Sequence, residues 1–594
     1  MKINHLIYKA VLVTIFVHAT LRAFFVTPLF DEAATFLHYI IPGNGWNPGE
    51  YADANNHILI SLFGSFCLEL GFDHPFFMRI PSLIGFLIYG FALHQLFVKQ
   101  LKIPFAHLIV ICTYSIPWVL EYGALARGYG FSIGCYIALI VLLIEFTKQT
   151  KIVHFILFFT LAWLTILSSF TFTVPVFLLL VVSFVFMLST LKTQSRKHII
   201  YYFLLGGLFL AAYIPLFTRA MVLKESGALW WGSSIGLWDV TGTSISTIVL
   251  FSKHWLIRIL LNAITLIAAI LWIKKLISTK PKEWFTNPFL WLNAYIFGLL
   301  LALIVLAKLF KMNYPMDRVG MYLVPLFVIL FVFICTEIKQ LKYATILLTF
   351  LPITFLVNAN LKYTIFSPED LVTDETYGEF KKITKKGGQA SAEWMIYINY
   401  LYKSRTDKQK NIIALAPTYN QTDYFFNYLT KPSTLYNGYE LSYIENHTQV
   451  GIYKKKAINP KQLIHTITIQ PFIFKETENY FINLDSLDQA LSTWSNKPFS
   501  FKIEGLFDMI NSAQVLKLVV EATDNDGNQT TFSHTNLHHT FYPQKHFDFT
   551  LSSLTFQPLQ LKNLKFRLEN PFQKEINVKN LKVTFFNEGE TYEF

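Results

Sequence analysis

The chain has 594 residues, of which 53% are hydrophobic and only 15% are charged, and its formal net charge is +12. Its mean hydropathy is +0.40, and apolar runs of about 18 to 22 residues recur through the first 360 residues. These values exclude an ordinary soluble protein and predict an all-α polytopic membrane domain followed by a soluble region. Because the lysines and arginines lie mainly in short loops between the runs, the positive charge indicates membrane topology and no nucleic-acid partner.

The first apolar run, residues 6–26, is predicted to be a retained span because it is long, carries His18 and Arg22, and lacks a small-residue cleavage pattern. Residues 57–71 form a shorter run of about 15 residues, which predicts a short helix at the outer membrane surface. Eleven spans are expected, at about 6–26, 80–98, 104–122, 129–147, 152–170, 173–190, 199–217, 255–274, 287–308, 320–337 and 342–358.

The loop charges predict which side of the membrane each loop occupies. With eleven spans, 15 cationic residues fall on the side of the N-terminus and eight in the loops of the opposite side. By the positive-inside bias the N-terminus is cytoplasmic, and the odd number of spans places the C-terminal region outside. The expected location is therefore the inner (plasma) membrane, crossed many times, with residues 27–79, about 120–128, 218–254, 309–319 and everything after 360 extracytoplasmic.

Asp31 and Glu32 follow the first span directly, in the sequence Phe30-Asp31-Glu32. Two adjacent carboxylates at the end of a membrane helix are costly unless they face water or a substrate, so they predict a functional site. A structural alternative is that Asp31 caps a helix that begins near Ala33, with Glu32 in its first turn. Because the predicted external side offers no nucleotide, a donor for any transfer there must arrive on a lipid.

Three further stretches accompany the acidic pair: ADANNHILISLFGSF in the first external loop, FMRIPSLIGFLIYG at the next span, and EYGALARGYGFSIG at the second external turn. Together they resemble the lipid-dependent GT-C glycosyltransferases over about residues 1 to 330. The branch they resemble contains protein O-mannosyltransferases, aminoarabinose transferases and related bacterial envelope enzymes. The resemblance implies transfer of a sugar, with inversion, from a polyprenyl-phosphate donor to an extracytoplasmic acceptor, with Asp31 as general base and Glu32 beside it.

The chemistry of such a transfer agrees with these residue types. An attacking hydroxyl must lose its proton, and a carboxylate within hydrogen-bond reach can accept it. The phosphate leaving group needs cations for its developing charge, and the planar guanidinium suits that task. Arg127 and Arg318 are therefore the predicted phosphate ligands, with Lys253 and His254 as weaker ones.

Each of these cations also has a structural alternative. Arg127 could extend to the membrane interface, as basic side chains at span ends do, and Arg318 could pair locally with Asp317. Arg79 occupies the position of the family's Arg-Ile-Pro-Ser motif, which implies an orienting role for it.

His57, Glu121 and Tyr129 are the remaining candidates and are assigned, together with Arg79, to substrate binding. His57 could instead belong to a helix-capping region, and Glu121 could simply pair with Arg127. A divalent cation, Mg²⁺ or Mn²⁺, could be held by Asp31, Glu32 and the donor phosphate, although the sequence requires no cofactor. The glycine series at 128, 130 and 134 predicts close helix packing and no dinucleotide site.

After about residue 360 the composition changes and span-length runs end. Residues 1–360 are the predicted GT-C-like domain, residues 361–460 a small α/β region, and residues 461–594 a β-sandwich. Within the middle region, QTDYFFNYLT is expected to be helical. The stretch DNDGN at 524–528 lacks the spacing of a calcium loop and predicts a hairpin turn between two strands.

The leading hypothesis from the sequence is an integral membrane glycosyltransferase with a polyprenyl-phosphate sugar donor and an envelope glycan, lipid or protein as acceptor. A transporter or flippase of lipid-linked glycans is the main alternative, since it also needs external acids and basic phosphate sites. A structural assembly protein that binds glycan through the sandwich is a third possibility, under which Asp31 and Arg127 are dispensable. The proposal that the sandwich recognises the acceptor depends on its external placement and aromatic content.

Overall fold

The computed structural model describes most of the chain. The described ranges are 5–43, 45–46, 53–148, 151–189, 196–229, 231–284, 286–365, 371–407, 410–415, 422–429, 438–446, 448–456, 458, 461–474, 479–482, 499–509, 516–523, 529–537, 546–552, 563–570 and 575–587.

The chain forms two compact units. Unit 1 consists of Met1–Val26 and Gly45–Phe366, and unit 2 of Thr27–Asn44 and Ser367–Phe594. The short segment that carries the acidic pair therefore belongs to the unit built mainly from the C-terminal region. The domain limits expected at 360 and 460 stay a prediction.

Seventeen α-helices are present in the described residues, and nearly all lie in unit 1. They are α1 (His5–Phe25), α2 (Phe30–Thr35), α3 (Ile58–Glu69), α4 (Pro75–Leu93), α5 (Ala106–Tyr114), α6 (Pro117–Gly123), α7 (Gly128–Lys148), α8 (Ile152–Ser168), α9 (Thr173–Ser189), α10 (Arg196–Glu225), α11 (Thr243–Leu250), α12 (Trp255–Ser278), α13 (Pro288–Phe310), α14 (Leu323–Glu337), α15 (Phe350–Asn358), α16 (Asp374–Lys385) and α17 (Trp394–Thr406).

Eight helical stretches among the described residues are long and apolar enough to cross a membrane. They are His5–Phe25, Pro75–Gln100, Gly128–Phe146, Phe170–Ser189, Lys197–Glu225, Trp255–Ser278, Pro288–Phe310 and Lys339–Asn358. Shorter apolar helices cover Ile58–Glu69, Ile152–Ser168 and Leu323–Glu337. The helical membrane class is thus confirmed, while the count of eleven spans stays a prediction. The helix expected at 57–71 is present as α3.

The span predicted at 104–122 is wrong as one continuous helix. It consists of α5 and α6, with Ser115 and Ile116 between them. Pro117 lacks an amide hydrogen and disfavours helical backbone at the residue before it, and Ile116 accordingly has ψ 120°. The proline therefore divides the run and starts a second helix.

The glycine series is confirmed as a close helix contact between α4 and α7. A Cβ atom built on Gly134 would lie 1.9 Å from the carbonyl oxygen of Gly85, and one built on Gly85 would lie 2.2 Å from the Cα atom of Phe131. Only hydrogen fits at these positions, so the two backbones approach as closely as in other membrane helix pairs with small residues at the contact.

Strands occur in unit 2 and form three sheets. They are β1 (Ala390–Ala392), β2 (Asn411–Ile412), β3 (Ala414–Leu415), β4 (Tyr424–Tyr428), β5 (Tyr439–Glu445), β6 (Val450–Lys455), β7 (Gln462–Ile469), β8 (Phe472–Phe474), β9 (Asn479–Ile482), β10 (Phe499–Met509), β11 (Lys517–Thr523), β12 (Gln529–Asn536), β13 (His546–Ser552), β14 (Asn563–Glu569) and β15 (Ile576–Asn587). The helical expectation for QTDYFFNYLT is wrong, because its aromatic core is the buried strand β4, which pairs with β1 and β6.

The first sheet has the order β3-β1-β4-β6-β5, and the other two form the predicted β-sandwich. One sandwich sheet has the order β2-β13-β10-β15-β7, with β8 also on β15, and the other has the order β12-β11-β14-β9. Phe566 of β14 packs edge-on against Phe501 of β10, in the other sandwich sheet, with ring centroids 4.6 Å apart. Strands β11 and β12 pair antiparallel, as the hairpin prediction requires. Its turn at 524–528 lies outside the described residues.

The α/β layer and the sandwich are connected by shared hydrogen bonding. Strand β2 pairs with β13 of the sandwich, while β3, two residues later, pairs with β1 of the first sheet. Buried Asp423 accepts a hydrogen bond from the Gln389 amide at 3.1 Å and one from the Lys461 ammonium group at 3.0 Å. The two regions are therefore parts of one folded unit.

Replacing Gly134 by leucine should prevent the close contact of α4 and α7. Overpacking of a tight contact costs about 1–3 kcal/mol and sometimes more. We expect a clear loss of thermal stability in detergent-purified protein, measured by the melting temperature. Gly207→Leu is the matched control, because a Cβ at exposed Gly207 meets nothing within 4 Å. Equal melting temperatures for the two variants would contradict the packing account.

Truncation after residue 460 should destabilise the α/β layer that remains. It removes β13, the pairing partner of β2, and Lys461, the partner of Asp423. We expect residues 371–456 of the truncated protein to be cut by protease at lower concentration than in the full chain. Asp423→Asn should give a smaller shift in the same direction. Unchanged protease resistance after truncation would show that the layer folds independently.

Candidate active site

The C-terminal end of α1 is held by a buried ion pair. Arg22, in the last turn of α1, donates to Glu121 Oε1 at 2.5 Å, and both side chains are 1% exposed. Its guanidinium group also donates to the carbonyl oxygens of Asn360 and Tyr363. Glu121 thus pairs with Arg22, and the structural alternative that it pairs with Arg127 is wrong. The substrate-binding role of Glu121 stays a prediction.

Arg79, from α4, holds the same end of α1 from another side. It is fully buried, and its Nη1 atom donates to the carbonyl oxygens of Ala23 at 3.0 Å and Val26 at 2.7 Å. Carbonyls in the last turn of a helix lack partners within that helix, and a cation there also interacts favourably with the helix dipole. Arg79 therefore fixes the point where the chain leaves α1, which agrees with the orienting role predicted for it.

Arg127 lies between α6 and α7 and is 1% exposed. Its guanidinium group donates to the Asn55 carbonyl oxygen at 3.3 Å and also to the Asn55 side-chain oxygen. Its own carbonyl oxygen accepts a hydrogen bond from Ser82 Oγ at 3.0 Å. Because the side chain is enclosed by protein, the alternative that it extends to the membrane interface is wrong.

His57 and Tyr129 lie beside this contact. The His57 Nδ1 atom is 2.8 Å from the carbonyl oxygen of Ser168, which makes it the donor. Tyr129 packs edge-on against the His57 ring, with centroids 4.8 Å apart. His57 is the N-cap residue of α3, so it lies in a helix-capping region as the alternative expected, although its side chain makes no capping bond. The structure thus brings Arg127, His57 and Tyr129 together around residues 55–57.

Arg318 belongs to a second cluster. Its guanidinium carbon lies 4.9 Å from the ring centroid of Trp231, in cation–π geometry. An antiparallel bridge between Ser233 and Tyr314 brings these two segments together. The packing of Trp231 against Arg318 joins segments more than 80 residues apart and could not be read from their spacing.

This cluster also contains Asp317 and Lys253, with His254 next to Lys253 in the chain. Burial raises the pKa of Asp317, and the nearby charges of Arg318 and Lys253 oppose that rise. Lys253 and His254 are exposed, and the His254 amide donates to Ser246 Oγ at 2.9 Å. Lys253 therefore adds positive charge next to Arg318, while the backbone of His254 starts α12.

The acidic pair occupies the first turn of α2 in unit 2. The helix begins at Phe30, and Glu32 Oε2 accepts a hydrogen bond from the Leu29 amide at 3.2 Å. Glu32 is fully buried, whereas Asp31 is half-buried. The structural alternative is therefore wrong about the cap, because Leu29 and not Asp31 is the N-cap residue, while Glu32 lies in the first turn as expected. Of the two residues, Asp31 is the one that solvent reaches.

The possible Mg²⁺ or Mn²⁺ site of Asp31, Glu32 and the donor phosphate stays a prediction. In the part of the chain that the structure describes, no group of three or more His, Cys, Asp or Glu side chains could hold a metal ion. The carboxylate of Glu32 is directed to the Leu29 amide.

No protein-family model and no curated protein matches this chain. Among solved structures it is similar to arabinosyltransferase EmbB from Mycobacterium smegmatis, at 10% identity and a TM-score of 0.32. That match covers 99% of this chain and 65% of EmbB, so the chain spans less than two thirds of the length of that protein. It is also similar to ArnT from Cupriavidus metallidurans in the apo state, at 10% identity and a TM-score of 0.34, over 75% of this chain and 97% of ArnT. At these identities and TM-scores the similarity carries no conclusion about this chain.

Asp317→Asn should stabilise the protein increasingly as the pH rises. A raised pKa means that the folded state holds this proton more tightly than the unfolded state, so its stabilising effect is present at low pH and is lost as the carboxyl ionises. Asparagine avoids that loss and tolerates the backbone φ of 50° at this position. We expect similar melting temperatures near pH 4 and a higher one for the variant near pH 7.

The exposed pair Asp239 and Arg258 provides the control, since Asp239→Asn should show no such pH-dependent gain. A melting temperature of Asp317→Asn that falls below the native one at neutral pH would contradict the burial account.

Proposed function

We propose that this chain is an integral membrane glycosyltransferase that moves a sugar from a polyprenyl-phosphate donor to an extracytoplasmic envelope acceptor. The observation that carries the proposal is the division of the acidic pair. Glu32 is buried and bonded to the start of α2, while Asp31 is half-buried on the same helical turn, directly after the first apolar helix. One carboxylate thereby holds the helix, and its neighbour on the same turn is the one that solvent reaches.

Asp31 is the proposed general base. The acceptor hydroxyl oxygen attacks the anomeric carbon while its proton passes to the Asp31 carboxylate. The bond between that carbon and the phosphate oxygen breaks, and the electron pair leaves with the polyprenyl phosphate. Attack opposite the leaving group inverts the configuration at the anomeric carbon. Glu32 supports this step by fixing the turn that carries Asp31.

Arg127 and Arg318 are the proposed phosphate ligands. Asn55 accepts hydrogen bonds from the Arg127 guanidinium group, and the Trp231 ring packs against that of Arg318. Anchored cations lose little further freedom when an anion binds, so they can stabilise the charge that develops on the leaving phosphate. Lys253 is exposed and interacts electrostatically with Asp317, and it is proposed to attract the anionic head group.

The remaining candidates are proposed to shape the substrate site. His57 and Tyr129 lie beside Arg127 through the Asn55 segment, and Tyr129 offers an aromatic ring of the kind that packs on sugars. Arg79 is proposed to orient the exit of α1 without touching substrate. The proposed acceptor is a glycan, lipid or protein of the envelope, and the N-terminus is proposed to lie in the cytoplasm.

Asp31→Asn should abolish most of the transfer activity while leaving the fold intact. The amide has nearly the same shape but cannot take the proton, and loss of a general base costs about a hundredfold to ten-thousandfold. Turnover is measured with purified protein and a polyprenyl-phosphate sugar, without a membrane gradient, so that transport does not contribute.

Asp239→Asn is the control, because it removes one exposed external carboxylate with little expected effect. Turnover of Asp31→Asn within about threefold of the native value would remove Asp31 from the role of base.

A further inference from the structure

The geometry points to α17 of the C-terminal region as the element that positions the acidic helix. We propose that Arg405 is a positioning residue, which fixes the orientation of α2 through its contact with Phe36. The proposal rests on the proposed function for its kinetic consequences. Its structural part can be tested independently of any activity.

One face of α17 is fixed to the rest of unit 2. The Tyr400 ring packs edge-on against Phe380 of α16, with centroids 5.2 Å apart, and lies 5.3 Å from Phe426 of β4. The Tyr377 hydroxyl donates to Ser404 Oγ at 3.3 Å. Because these side chains are buried, α17 has a defined rotation on the first sheet.

The opposite face of α17 contacts the segment that carries the acidic pair. The Tyr402 and Phe36 rings meet edge-on at 5.3 Å. The Arg405 guanidinium carbon lies 4.5 Å from the Phe36 ring centroid and 5.6 Å from that of Tyr402. Arg405 is only 4% exposed, and a desolvated guanidinium on an aromatic ring is a strong form of this contact.

The position of Phe36 makes this contact relevant to the acidic pair. Phe36 is four residues after Glu32, so the two side chains lie on the same side of the helix, one turn apart. It also begins the π-helical turn Phe36–Ile40 that continues α2. A six-residue helix has little stability of its own. The rotation of α2, and with it the direction of Asp31, therefore depends on what holds Phe36.

The consequence concerns the role of the soluble region. Residues more than 360 positions after Asp31 hold the helix on which it lies, so the C-terminal region contributes to the reaction by orienting the base. This role is separate from recognition of the acceptor and needs no contact between α17 and substrate.

The test compares Arg405→Met with Lys403→Met in the full-length protein. Lys403 is two residues away on α17 but pairs with Asp374 at 2.5 Å, so it is a basic residue on the same helix with a different partner. For Arg405→Met we expect faster amide hydrogen exchange over residues 30–40. We also expect kcat to fall by about tenfold to a hundredfold, with donor KM changed by less than about twofold.

Three further variants separate positioning from general damage. Arg405→Lys should recover part of kcat, since it keeps the cation but loses the planar group. Phe36→Leu should reproduce the effect of Arg405→Met, and the double variant should be no worse than the poorer single one, because both changes remove one contact. If Arg405→Met does not fold, Arg405→Lys and Phe36→Leu carry the same comparison.

Unchanged exchange over residues 30–40 in Arg405→Met, or effects equal to those of Lys403→Met, would overturn the proposal. Faster exchange with native kcat would overturn it as well. If Asp31→Asn retains native turnover, the proposed function fails, while the exchange measurement still decides whether Arg405 holds α2.

Discussion

Burial of three guanidinium groups, those of Arg22, Arg79 and Arg127, is the constraint on which the helical unit depends. A buried cation without oxygen partners is too costly for a stable fold. Arg22 is met by Glu121 and two backbone carbonyls, Arg79 by carbonyls at the end of α1, and Arg127 by Asn55. These bonds fix the end of α1 and the second predicted external turn to each other through α4 and α6.

In unit 2 the segment of the acidic pair is likewise held by partners to its buried groups. Glu32 is buried and directed to the Leu29 amide, and Phe36 one turn later is covered by Arg405. A short helix thus obtains its stability from tertiary contacts rather than from its own length. The result is a half-buried Asp31 on a turn that is held at both ends, which is the arrangement that a general base requires.

Much of the fold followed from local patterns in the sequence. Apolar runs predicted the long helices, the glycine series predicted close helix packing, and residues 461–594 were predicted to be the sandwich. Pro117 divides a predicted span by a local effect, through its missing amide hydrogen and its constraint on Ile116. Local patterns failed at strand β4, because its aromatic residues suit a helix or a strand equally and its pairing with β1 and β6 decides. The attachment of residues 27–44 to the C-terminal unit joins positions over 350 residues apart, and no local signal reports it.

The site was predictable in its residue types but not in its partners. An acid pair after the first span and arginines at span ends suggested base and phosphate ligands. Pairing with Arg127 was one alternative for Glu121, yet this buried carboxylate pairs with Arg22, which the packing of α1 brings next to it. The contact between Trp231 and Arg318 likewise depends on the bridge between Ser233 and Tyr314.

The most direct test of the account is an experimental structure with a non-hydrolysable polyprenyl-phosphonate sugar bound. The account predicts that the anomeric carbon faces the Asp31 carboxylate, with room for one hydroxyl between them, and that the phosphonate oxygens contact Arg127 and Arg318. A head group bound away from Asp31, or held by neither arginine, would contradict it.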